Sequence, residues 1–243
     1  MKTVVVFKWT RDPQDAIVKG DGSVSWSGVK MAATDDDPAA MDIARVLSDE
    51  ASIVGLTVGD GKPEWAAARG ASSTVSIDGV SCQPDGSQVA SAIAAAVNEM
   101  GDVDVVAVGD SDWDRAVVCA LVGELGWKAY AGVTAVEKDG DALLVTVKGA
   151  DASKIVKTSA PVLLAATSLG QEENVPGMKQ TLAARKKPLE RKEKASLGVA
   201  SRETCETLGT RLPEGEAAVL FDGADPEKAA SQLIEALRGE GVL

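Results

Sequence analysis

Four times in the first 125 residues a short apolar run is followed by a stretch whose apolar residues recur at helical spacing. Val4–Phe7, with Thr3 before it, is the first such run, and Asp37–Leu47 follows with Ala40, Ile43, Ala44 and Leu47 on one stripe behind an Asp cap. Ser52–Val58 precedes a helix opened by Pro63 and running to Arg69. Thr74–Ile77 precedes Ser87–Met100, and Val103–Val108 precedes Trp113–Leu125. Strands this apolar have no wet face, and a helix between each pair makes them parallel and covers both sides. The pattern predicts a doubly wound α/β core with a mostly parallel sheet. Gly20, Gly22 and Gly28 mark a turn or small hairpin between the first strand and its helix.

Beyond Gly126 the rhythm changes. Gly132–Lys138, Ala142–Lys148 and Lys154–Thr158 alternate like strands joined by Gly-Asp turns, and Pro161–Ala166 reads as another buried strand. From Glu172 to about Gly215 the chain turns polar and irregular. Lys179–Lys194 holds seven Lys or Arg against two Glu, a basic island in a chain of formal net charge −12. Ala217–Phe221 reads as a strand, and Asp225-Pro226 caps a helix with Ala230, Leu233, Ile234 and Leu237 on one face. The division expected is a nucleotide-binding-like core over 1–170 and a loop with a C-terminal arm over 171–243.

Composition narrows the chemistry. The chain has no histidine, which removes Ser-His-Asp and Cys-His catalysis and every His-ligated metal. Cys82, Cys119 and Cys205 form no C-x-x-C pair, so zinc ribbons, iron–sulfur ligation and a disulfide framework are disfavoured, and a reducing cytoplasm is expected. The negative charge argues against nucleic acid or an anionic membrane as the main partner. The apolar run at Val4–Phe7 is too short for a secretory core, and none approaches a membrane span.

The candidate sites each have a plain structural reading beside the functional one. Gly59-Asp60-Gly61 lies where a sheet presents amides to a phosphate, yet Glu64 stands where a dinucleotide fingerprint has its third glycine, so a turn is favoured. Asp110-Ser111-Asp112-Trp113-Asp114 begins like a calcium loop but has Arg115 and Leu121 where that loop needs Gly and Glu, which rejects calcium. The segment is either a ligand loop at the carboxyl edge of the sheet or a set of helix caps. Asp35-Asp36-Asp37 could be a metal cluster, but adjacent carboxylates before a helix read as a solvated cap; the basic island reads as a docking or solvated arm, and Trp9, Trp65, Trp113 and Trp127 as core fillers. No activated nucleophile, metal-ligand set or acid/base pair is visible.

Six segments, in order and spread over nearly the whole chain, resemble the beta subunit of electron transfer flavoprotein. Val4-Val5-Val6-Phe7-Lys8 is similar to that family's opening strand with its lysine. Thr34–Leu47 follows N-P-x-D-x-x-A-x-E-x-A-x-x-L without gaps, with Asp37, Ala40, Ala44 and Leu47 in agreement, Asp42 for the Glu, and Thr34-Asp35 in place of Asn-Pro. Ala66–Ala71 resembles A-L-A-M-G-A, and Leu121–Trp127 resembles L-A-x-x-L-G-W. Glu173–Gly177 with Arg185–Leu189 resembles N-I-P-G…A-R-K-K-P-I, and Asp225–Leu243 is similar to the closing helix.

The resemblance implies an adenine nucleotide alpha hydrolase-like fold and a heterodimer. In it an alpha subunit holds most of an FAD, and the beta subunit supplies a wall of the cleft and normally buries AMP, or a second FAD in bifurcating members. Contacts to cofactor are implied at Lys8, Trp9, Thr34, Gly59 and Gly109, and along the loop at Asp110, Asp114, Arg115, Ala116, Val117 and Val118. Docking to a flavin-dependent dehydrogenase is implied at Val175 and Pro176, and the arm is expected to embrace the alpha subunit. In that loop the family's polar N-Q-T positions are Arg115, Ala116 and Val117 here, which leaves AMP, FAD or no ligand open for the beta pocket. The function expected is an electron carrier without bond-making catalysis. A bifurcating subunit and a nucleotide-binding regulatory module of the stress-protein type are the rivals, together with a subunit whose nucleotide site has decayed.

Overall fold

A computed structural model describes residues 1–80, 86–170, 174–199, 208–212 and 218–242. In chain order the strands and helices are β1 (Thr3–Val6), β2 (Trp9–Arg11), β3 (Ile17–Val18), β4 (Val24–Ser25), β5 (Met31–Ala33), α1 (Asp37–Leu47), β6 (Ile53–Val58), α2 (Glu64–Ala68) and β7 (Ser73–Asp78). Then come α3 (Gly86–Met100), β8 (Val105–Gly109), α4 (Arg115–Leu125), β9 (Lys128–Asp139), β10 (Ala142–Val147), β11 (Lys154–Thr158), β12 (Val162–Ala166), α5 (Met178–Ala184), β13 (Leu189–Glu193) and α6 (Pro226–Gly239). One nine-stranded sheet runs β11-β10-β9-β12-β8-β1-β6-β7-β13. It is parallel from β9 to β13, and β10 and β11 extend it as antiparallel strands.

The alternation within β1 explains the double winding. Val4 and Val6 face a core shared with α3 and α4, and Val5 and Phe7 face one shared with α1. Successive side chains of a strand point to opposite faces, so an all-apolar strand demands a helix layer on each. In α1, Ala40, Met41, Ile43, Ala44 and Leu47 are all buried, which is the apolar stripe a surface helix lays on a sheet. On the same face Phe7 stacks on Trp65 with ring centroids 5.0 Å apart.

Several boundaries differ from the sequence reading, for identifiable reasons. Helix α4 begins at Arg115 rather than Trp113 because Ser111 Oγ accepts from the Trp113 amide and the Asp114 amide donates to the Ser111 carbonyl, so 111–114 is a turn. Strand β8 begins at Val105, since the Lys2 carbonyl takes up the Asp104 amide and the Asp104 carboxylate accepts from the Lys2 amide. Strand β9 begins at Lys128, because its first residues pair in parallel with β12 before the rest pairs with β10. The stretch expected to be irregular contains α5 and β13, and β13 pairs along β7. Leu-Glu-Arg-Lys-Glu lacks an apolar alternation because it is an exposed edge strand. Residues 218–221 carry no strand, and Ala217 lies outside the described residues, as do Cys82, Cys205, Glu173 and Leu243. Gly20 and Gly22 lie in the connection of the β3–β4 hairpin, as expected. Among the described residues no helix is long and apolar enough to cross a membrane.

Candidate functional site

Strand order reverses at β1, with β6 and β7 on one side and β8 and β12 on the other. The carboxyl ends of β1 and β8 therefore flank a topological switch point, where open α/β sheets hold their ligands. The chain leaves β1 after Val6 and β8 after Gly109, and Lys8 and Gly109 both meet the start of α1 at Asp37.

Lys8 is 1% exposed and Asp37 fully buried. The Lys8 ammonium stands 3.6 Å from Asp114 Oδ2, an ion pair longer than a hydrogen bond. Asp37 Oδ2 accepts from the Thr34 amide at 2.9 Å and the Lys8 amide at 3.4 Å. The segment after β5 thus folds back on the end of β1 through one carboxylate. Lys8 Nζ, Thr34 Oγ1 and Asp37 Oδ1 are buried without a hydrogen-bond partner. Gly109 has a packing reason: a Cβ there would lie 2.8 Å from both the amide nitrogen and Oδ1 of Asp37. Only glycine lets the first turn of α1 sit against the end of β8.

Four more aspartates line the mouth. Ser111 donates to Asp35 Oδ1 at 3.3 Å, the Ser168 amide to Asp36 Oδ1 at 2.6 Å, and the Gly132 amide to Asp110 Oδ2 at 2.8 Å. Asp35, Asp36, Asp110 and Asp112 line, with Pro13, Gln14, Trp113 and Thr167, a hollow of about 410 Å³. A second hollow of about 470 Å³ lies between the outer face of α1 and β9, bordered by Val46 and Leu169.

Burial raises the Asp37 carboxyl from 3.8 to about 6 against the opposing pull of Lys8. Asp114 is raised by burial, with Lys8 opposing. Asp36 is raised by burial and further by Asp35, Asp110 and Asp112, while the Ser168 amide opposes. A carboxyl whose pKa is higher folded than unfolded binds its proton more tightly in the native state. For Asp37 this stabilises the fold as pH falls from above 6 toward 4, and the gain is lost as pH rises through about 6. The urea midpoint is expected to be higher at about pH 5.5 than at about pH 7, and Asp37→Asn to shrink that gain. A midpoint difference unchanged in Asp37→Asn would exclude this carboxyl as its source.

The residues expected at a cofactor divide into three groups. Lys8, Thr34, Gly109, Asp110 and Asp114 come together at the switch point. Trp9 and Gly59 lie at neighbouring strand ends: Trp9 opens β2 with Lys62 5.7 Å from its ring, and the Gly59 amide donates to the Ile77 carbonyl at 2.9 Å. Arg115 opens α4 and Ala116 is exposed beside it, but Val117 and Val118 turn into the core beneath. Val175 is 68% exposed and Pro176 half-buried in the loop before α5. Sequence reasoning took Asp35–Asp37 for a solvated cap, and only Asp35 is exposed. The pairing of Asp37 with Lys8 went unread, although Lys8 directly after an all-apolar strand was the available signal.

Comparison with known proteins agrees with this architecture. The model of the electron transfer flavoprotein domain matches residues 26–197. A curated relative, the electron transfer flavoprotein subunit beta of Syntrophomonas wolfei subsp. wolfei (strain DSM 2245B / Goettingen), is 26% identical over 244 residues, covering 97% of this chain and 95% of its own length. With the domain match spanning most of the chain and the relative aligned from end to end, the chain belongs to the electron transfer flavoprotein family, in its beta-subunit branch.

Proposed function

We propose that the chain pairs with an alpha subunit that holds most of an FAD, and that the pair carries electrons from a flavin-dependent dehydrogenase to an acceptor in the cytoplasm. The observation that carries this reading is the end-to-end match to a beta subunit. The flavin supplies the redox chemistry when bound, and this chain has no bond-making catalysis of its own. Its part is to form a wall of the cleft from the carboxyl-edge segments around Lys8–Trp9, Thr34, Gly59 and Gly109–Ala116. Residues 1–170 are the core, and 171–243 are the recognition loop and arm, with β13 returning from the second part to the sheet of the first. A self-contained regulatory module of the stress-protein type needs neither the loop nor the arm.

Val175 and Pro176 are the dehydrogenase contact in this reading. An exposed apolar side chain shortly before a basic stretch of sequence suits a transient contact, with a small anchor and a polar rim. Co-expression with an alpha subunit is expected to yield a yellow complex and the isolated chain a nearly colourless one. Val175→Asp is expected to slow electron transfer from the dehydrogenase about tenfold or more with bound flavin unchanged. Unchanged transfer would overturn the loop assignment, and a colourless complex would overturn the carrier reading.

A further inference from the structure

We infer that this chain lines its own switch-point crevice with carboxylates and so holds neither adenosine monophosphate nor the pyrophosphate of a second FAD. The inference rests on the beta-subunit reading, which is what implies a nucleotide there.

The donor set does not fit a phosphate. Of the three positions where the resemblance has polar side chains, one is Ala116 and one is Val117, which is fully buried in the core. The Val117 amide is taken by the Asp114 carbonyl at 3.2 Å. The edge carries six aspartates, at 35, 36, 37, 110, 112 and 114, beside the single buried Lys8. Among these Asp36 is held up by burial and by three neighbouring carboxylates, so the local potential is negative. A phosphate monoester brings close to two more negative charges at neutral pH.

The backbone at two glycines is committed as well. Glycines at strand ends and helix starts admit a phosphate by letting backbone come close to it. Here the room a Cβ would take at Gly109 is taken by Asp37, and that at Gly86, the start of α3, by the Ala116 Cβ and Val117 nitrogen at 3.1 Å. Neither glycine is open on its Cβ side, and the room left at the mouth is the aspartate-lined hollow of about 410 Å³. The anion that the buried Lys8 faces is already present as Asp114 at 3.6 Å, with Asp37 beside it. Lys8 Nζ, Thr34 Oγ1 and Asp37 Oδ1, buried with no hydrogen bond of ordinary geometry, are a cation, a hydroxyl that can donate or accept, and an acceptor. A neutral donor–acceptor such as water suits all three, and an anion opposes the third.

The test is to purify the complex of this chain with its alpha subunit, denature it and count nucleotides chromatographically. FAD without AMP, at no more than one flavin per complex, is expected. AMP approaching one per complex, or two FAD, overturns the inference. A complex with no flavin would sink the carrier reading instead, and its AMP content would still decide this one. Calorimetric titration of the same complex with AMP, with and without magnesium, covers loss of ligand during purification. No saturable binding up to about 1 mM is expected, and saturation below that concentration overturns the inference.

Discussion

Removal of residues 224–243 is expected to leave the sheet folded and to weaken assembly with the alpha subunit at least about 100-fold, which is about 2.7 kcal/mol. The deleted segment contains α6, which is well made as a helix: Asp225 Oδ1 accepts from the Lys228 amide at 3.2 Å, Pro226 opens the first turn and Arg238 sits in the last. Its apolar side has little to cover it, since Leu233 is 47% and Ile234 44% exposed and no α6 residue is fully buried. Val219 and Leu220, in the approach to it, are more exposed still. A 14-residue helix is marginal in water on propensity alone, so an amphipathic one at the end of an arm is built for a second surface. Each such side chain contributes roughly 1.5–3 kcal/mol when fully covered, less what association costs in ordering. Co-purification and size-exclusion of the deletion variant check this, and full yield of the complex would refute the arm's role. Leu233→Asp separates the apolar contact from the arm's length, and should weaken assembly while leaving the isolated chain's Tm unchanged.

The second large effect is expected at Lys8. Lys8→Met keeps most of the buried stem and removes the charge, leaving Asp37 and Asp114 without their counter-ion. Breaking a buried pair by deleting one partner costs about 3–5 kcal/mol, which for a chain of this size is a fall in Tm on the order of 10 °C. Lys8→Met with Asp37→Asn should recover much of the loss, because the fully buried carboxylate is then gone as well. The loss in the single variant should shrink as pH is lowered, since Asp37 titrates at about 6 with Lys8 present and higher without it. A Tm within about 2 °C of the parent chain would show that the cluster contributes little. Recovery in the double variant is what ties the effect to charge rather than to packing.

How much could be read from the chain depended on how local the signal was. The strand of Val4–Phe7 and the stripe of α1 were legible because period and burial are written in adjacent residues. Edge strand β13 was not, because an exposed edge has no apolar face to write. The start of α4 was misplaced by two residues because a single hydroxyl, Ser111, holds a turn that competes with the helix. At the candidate site the types were legible and their use was not. Asp114 looked like a cap, yet its carboxylate also faces the buried Lys8.

Alternation and spacing by themselves determined the layers, since an all-apolar strand must be covered on both faces and a striped helix must cover something. Six ordered segments were also enough to indicate the family. Tertiary structure alone decided what the acidic segments do. Asp35 and Ser111 are 76 positions apart, and they meet because the strand order reverses at β1 and brings the ends of β1 and β8 together. Whether a carboxylate is a solvated cap or a buried counter-charge depends on that non-local meeting, because desolvation and Coulomb attraction act through space and not along the chain.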